Sequence, residues 1–165
     1  KLLKIANKIG IGPKFIKNSK NFLMMEYIDG ERILDWAKKS ETKSKEIRSV
    51  ISNVLNECFL LDNARLDHGE LSTIDKHVIV NKKRNTIIDF ESSSVNRKPS
   101  NVTGATQAIF IGTGLAKIIQ KKIKLPTKMK IIELIRRYKK NPTLENFENL
   151  TIGLKLQKTT KKEKN

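Results

Sequence analysis

Residues 44–63 constrain the fold more tightly than any other stretch. Ile47, Val50, Ile51, Val54, Leu55 and Cys58 fall at i, i+3, i+4, i+7, i+8 and i+11. That is the repeat of an α-helix with one apolar stripe. A stripe of this length must be covered by other elements of the chain. The next apolar runs have a different character: HVIV at 77–80 and TIIDF at 86–90 are short, rich in β-branched residues and joined by the polar NKKRN. They predict two strands of an antiparallel hairpin. A long helix followed directly by a hairpin implies an α+β fold.

The remaining segments predict mostly helix. LLKIANKIG opens with a helical pattern that Gly10, Gly12 and Pro13 stop. FLMMEYI at 22–28 reads as a buried strand, Asp29-Gly30 as a turn, and ERILDWAKK as a short helix with Ile33, Leu34 and Ala37 on one face. SETKSK is a polar break before the long helix, and SSSVNRKPSN a polar loop after the hairpin. Beyond it, 102–123 predicts one helix in which Gly112 and Gly114 are weak points. Pro126 and Asn141-Pro142 then set off a helix at 128–140 and a last one with Leu144, Phe147, Leu150 and Leu154 as its stripe. No internal repeat is visible.

With 165 residues, the chain is long enough for one domain with a real core. Aromatic residues are only 5%, so that core must rest on Ile, Leu and Val. The sequence begins at Lys1 rather than a methionine, which leaves room for a longer parent chain. The single cysteine, Cys58, excludes an intrachain disulfide and fits a reducing compartment; on its helical stripe it reads as a core residue. With two histidines and one cysteine, a zinc cluster of the structural type is not expected. No apolar run approaches the 18 residues of a membrane span, so the expectation is a soluble, cytoplasmic protein with no membrane partner.

Net charge is +17, which favours polyanionic partners through salt-sensitive attraction. Residues 117–140 hold ten Lys or Arg against Glu133 alone, and the tail from Lys155 adds five lysines and one glutamate. These segments predict contact with RNA or a ribonucleoprotein. The nine aromatic residues sit mostly at core-like positions, however, and give no stacking platform for bases.

Against this basic background Asp62, Asp67, Glu70, Asp75, Asp89 and Glu91 cluster in the middle of the chain. In an antiparallel hairpin the start of the first strand lies beside the end of the second. Glu70, Asp75 and His77 are therefore expected near Asp89 and Glu91, at the end opposite NKKRN. Converging oxygen ligands suit Mg²⁺. His68, before Gly69, is expected to brace the loop through a hydrogen bond, and Asp67 to be a solvated loop acid. Glu70 reads either as a reactive carboxylate or as an ion-pair partner of Lys76. Asp89 could alternatively cap a loop.

HGEL, an apolar strand, a turn and then IIDFE resemble the catalytic core of the protein-kinase-like superfamily. The style is that of aminoglycoside/choline kinases and of the predicted archaeal serine/threonine kinases. IGPKFI…FLMMEYIDGERI is similar to the segment that runs from the C helix through a strand into the hinge. The resemblance covers about residues 5–123. It implies that 1–28 ends an N-terminal lobe, that 29–156 forms a shortened helical C-terminal lobe carrying the hairpin, and that 157–165 is a basic disordered tail.

The resemblance implies ATP and Mg²⁺ as cofactors and a protein or small-molecule hydroxyl as substrate. Glu70 takes the catalytic position and Asp89 the metal position, with Asp75 or His77 as second metal ligand. Met25, Glu26, Tyr27 and Ile28 form the hinge, and Lys76 joins them as a nucleotide contact. Glu70 departs from the family's aspartate by one methylene, and a displacement of about 1 Å can cost about 10²-fold in rate. These 165 residues also contain no Gly-rich phosphate loop. Two other functions therefore stand beside the kinase: a nucleotide-binding pseudokinase or scaffold, and a basic RNA-binding module.

Overall fold

The computed structural model describes residues 1–82 and 84–156. The tail expected to be disordered, 157–165, lies outside the described residues.

The predicted long helix is present as α3 (Ser44–Asn63). The Glu46 carboxylate accepts the Lys43 backbone N–H at its start, 2.8 Å away, an N-terminal cap that satisfies a free donor. Ile47, Ile51, Val54, Leu55, Cys58 and Leu61 are all buried on its inner face. Helix α1 (Leu2–Lys8) precedes two strands, β1 (Phe15–Asn18) and β2 (Leu23–Met25), which pair antiparallel as a two-stranded sheet. A second, three-stranded sheet has the order β3-β4-β5, from β3 (Glu31–Arg32), β4 (Val78–Val80) and β5 (Asn85–Ile87). Helix α2 (Ile33–Lys38) follows β3 directly. The single turn α4 (Ile74–His77) leads into β4.

The second half is helical: α5 (Asn101–Phe110), α6 (Gly114–Lys122), α7 (Lys128–Lys140) and α8 (Leu144–Gly153). Helix α5 is buried along most of its length, by Val102, Ala105, Ala108, Ile109 and Phe110 among others. It is the central element around which α3, α6 and α7 pack. Near the ends of α3, α7 and α8, Phe59 stacks on Phe147 with ring centroids 4.4 Å apart, and both meet the buried Tyr138 edge-on. The architecture is thus a mixed α/β fold with small β-hairpins among helices.

Four expectations are corrected. The strand within FLMMEYI is not buried: all three residues of β2 are exposed, and α1 meets the ribbon at β1, where Phe15 packs against the core. The helix expected at 102–123 is two helices bent by 67°. Gly112 takes φ +76°, which breaks the helical path, and the Thr113 hydroxyl then caps α6 by accepting the Ala116 N–H. Leu144 begins α8 but points to solvent, so the buried stripe starts at Phe147. His77 ends α4 instead of opening the strand, which begins at Val78. No single helix among the described residues is long and apolar enough to cross a membrane.

Candidate functional site

The loop between α3 and β4 is built on buried polar contacts. Asp62, near the end of α3, accepts hydrogen bonds from the Asn101 backbone N–H at 2.9 Å, the Asn101 side-chain amide at 2.8 Å and the Tyr138 hydroxyl at 2.9 Å. Burial raises its pKa in spite of these donors. Asn101 in turn accepts the His68 backbone N–H at 2.8 Å and donates to the Leu66 carbonyl at 2.8 Å. One side chain therefore fixes the chain on both sides of Asp67. Asp67 itself is buried, not a solvated loop acid: it takes the Arg97 Nε–H at 2.9 Å and the Ser100 backbone N–H at 3.1 Å. A carboxyl group at this depth is accommodated by its ion pair and hydrogen bonds.

Gly69 has φ +91°, and a Cβ placed there would stand 2.7 Å from the Ser92 carbonyl oxygen. Only glycine permits this close approach of the His-Gly-Glu turn to the segment that follows β5. The two histidines then hold the peptide of Ile88, the residue before Asp89. His68 Nε2 lies 2.9 Å from the Ile88 carbonyl oxygen, and the Ile88 N–H donates to the His77 carbonyl at 2.9 Å. His68 braces the loop as expected. Burial holds its pKa below the usual histidine value. Its ring packs edge-on against Phe90 and His77.

Asp89, held behind Ile88, adopts φ +68°. A non-glycine residue in this region is uncommon and costs of order 1–3 kcal/mol, and such strain concentrates at functional sites. The register Val78↔Ile87 sets His77 and Asp89 beyond the paired strands at the same end of the hairpin. There Glu70, His77 and Asp89 converge, with one potential ligand atom from each within 4.8 Å of the others. His77 Nε2 is 4.0 Å from Glu70 Oε2, and His77 Nδ1 is 3.9 Å from Asp89 Oδ2. Both gaps are too long for hydrogen bonds. His77 is buried and its Nδ1 has no hydrogen-bond partner, while the two carboxylates reach solvent. Asp89 stands by the unpartnered Nδ1 and Glu70 by Nε2, and this set of two carboxylates and an imidazole can hold a divalent cation.

Asp75 and Glu91 do not join this group. Asp75 sits two residues before His77 on α4, about 200° around the helix from it, so the turn that brings His77 inward carries Asp75 away. Lys76 is exposed, and the ion pair expected between it and Glu70 is not among those formed by the described residues. Of the expected hinge residues, Glu26, Tyr27 and Ile28 line an open cleft of about 860 Å³ with Val80, Asn81 and Arg84. Met25 lies in β2, outside that lining. Glu26 is anchored on both oxygens, by the Lys14 backbone N–H at 3.0 Å and the Arg84 guanidinium at 2.7 Å. The Lys14 bond leads in holding its pKa low.

The sequence reading missed Asn101 and Glu57. Asn101 opens α5 after a polar loop, which reads as an ordinary cap; its reach of 33 residues back to His68 has no local signature. Glu57 lies between Asn56 and Cys58 on α3 and reads as solvated, yet it accepts the Asn85 amide at 3.0 Å and so ties α3 to β5.

Comparison with known proteins agrees with this arrangement. Residues 1–103 match the RIO domain, a stretch that includes Glu70, His77 and Asp89. An uncharacterized protein of Methanocaldococcus jannaschii is 28% identical over 118 residues, covering 70% of this chain and 99% of the relative. The chain belongs to the RIO-domain family of the protein-kinase-like superfamily.

Proposed function

We propose that this chain is an ATP- and Mg²⁺-dependent phosphotransferase acting on a serine or threonine hydroxyl of a protein. The observation that carries the reading is the convergence of Glu70 and Asp89 across the buried His77, at the end of a hairpin and on a strained Asp89 backbone. In phosphoryl transfer the protein mostly positions groups and neutralises charge. Asp89 is assigned to the cation that screens the nucleotide phosphates. Glu70 is assigned to the substrate hydroxyl, as the group that orients it and accepts its proton. The backbone of 25–28 is assigned to the adenine, beside the open cleft. From Val80, on that cleft, to His77 is three strand residues, or about 10 Å, so a bound nucleotide would lie along β4.

A non-catalytic nucleotide-binding protein is the second reading. The added methylene of Glu70 favours it.

Calorimetry of ATP binding with and without Mg²⁺, on this chain and on Asp89→Ala, tests the assignment. The metal role requires Mg²⁺-dependent binding that the variant loses. Equal binding by both chains would make Asp89 structural. Glu70→Gln then separates the two readings: it should abolish phosphotransfer and keep ATP binding if the chain is an enzyme.

A further inference from the structure

We propose that the Glu70–His77–Asp89 site is built for a borderline transition ion, of the Co²⁺, Ni²⁺ or Zn²⁺ class, with His77 Nδ1 and Asp89 as its protein ligands and Glu70 holding the other imidazole nitrogen. The inference rests on the reading above in taking Asp89 as the metal-holding carboxylate.

The first reason is the buried imidazole. His77 is 7% exposed and its Nδ1 has no partner, an unfavourable condition for a buried polar group. A coordinated ion removes it. The second is distance. Nδ1 and Asp89 Oδ2 are 3.9 Å apart, and two metal bonds of about 2.0–2.1 Å span such a gap at a wide angle. The third is what lies on the opposite edge of the ring. Nε2 faces Glu70 Oε2 at 4.0 Å. Metal-ligating histidines donate their second N–H to a carboxylate, which fixes the tautomer and orients the ring. With the ion on Nδ1, the proton must sit on Nε2, toward Glu70.

The donor type decides the class of ion. Mg²⁺ prefers oxygen ligands and keeps several waters. Imidazole suits the later first-row ions, whose affinity rises from Mn²⁺ toward Cu²⁺. A hard site would use a carboxylate at this position, and Asp75 is only two residues away, yet α4 turns His77 inward instead. His68 Nδ1 is also buried without a hydrogen-bond partner, but His68 lies outside the three-residue group and its Nε2 is held at the Ile88 carbonyl, so it is the nearby carboxylates that single out His77.

The chain has two histidines, so imidazole ¹⁵N NMR of the labelled protein reads the site directly. Zn²⁺ titrated into the wild-type chain should move the His77 Nδ1 resonance and leave His68 in place. Calorimetry should show Zn²⁺ binding at least about 100-fold more tightly than Mg²⁺. Glu70→Gln should weaken Zn²⁺ by about 10–100-fold, as loss of a supporting carboxylate does. His77→Asn should bring Zn²⁺ and Mg²⁺ to within about tenfold of each other. If neither imidazole responds to Zn²⁺ while Mg²⁺-dependent ATP binding persists, the inference fails and the phosphotransferase reading stands. If neither ion binds and ATP does not bind either, both fail.

Discussion

Among the described residues, two small antiparallel sheets have similar strand length and opposite fate. In β3-β4-β5, Val78, Val80 and Ile87 are buried, and α2 and α3 pack against the sheet. In the β1–β2 ribbon Ile16, Leu23, Met24 and Met25 are all exposed, with Phe22 78% and Tyr27 87% exposed beside them. The ribbon is tied to the body by polar contacts. The Asn7 side chain binds the Ile11 and Pro13 carbonyls and the Phe15 N–H, and Glu26 binds Lys14 and Arg84. An isolated two-stranded ribbon is marginal in water. Apolar, β-prone composition thus sets a strand but not its burial. Burial depends on whether a helix arrives to cover it. The buried sheet is accordingly the one that carries the candidate site at its end.

The contrast can be broken by experiment. The largest effect should come from Ile87→Ala in β5, which empties a fully buried position and should cost about 2–5 kcal/mol in urea unfolding. A loss below about 1 kcal/mol would mean the hairpin is not part of the cooperative core.

Next is Glu57, which joins α3 to this sheet. Burial, against the Ile87 N–H, the Arg84 charge and the Asn85 amide, pushes its pKa from 4.5 up to about 7. The folded state keeps a proton that the unfolded chain releases between those values. Stability from this group is therefore complete below about pH 4.5 and lost as pH rises through about 7, by up to about 3 kcal/mol. Glu57→Gln should flatten this fall and leave the variant the more stable chain at pH 8, measured by thermal unfolding across pH. Parallel pH profiles for the two chains would place Glu57 in water.

Asn101→Ala should cost about 1–3 kcal/mol, because the buried His68 N–H and Leu66 carbonyl lose their partner. It should also weaken Mg²⁺-dependent ATP binding, because the loop that carries His68 holds the Ile88 peptide before Asp89. The smallest effect belongs to Met24→Ser on the ribbon, expected within about 0.5 kcal/mol. A loss near 2 kcal/mol would show that the ribbon is covered in solution.

The helices were legible where one face alternates cleanly. The periodicity of Ile47 through Cys58 marked α3 over roughly 44–63, and Pro126 and Asn141-Pro142 bounded α7. The proximity of Glu70, His77 and Asp89 was legible because hairpin geometry follows from two β-branched runs and a polar turn. Asp75 was wrongly grouped with them because residue spacing does not reveal that a helical turn, not strand, precedes β4.

Sequence alone therefore determined the α+β class, the long helix, the hairpin and the convergence of its flanking acids, all of which rest on local periodicity and turn chemistry. Tertiary structure alone decided which sheet is buried, that Asp67 is paired inside the protein, and that His77 and not Asp75 faces Asp89. Those outcomes depend on partners far along the chain: Asn101 lies 33 residues from His68, and Tyr138 lies 76 from Asp62. A buried polar group is satisfied by whatever the fold brings to it, and short-range pattern carries no record of that choice.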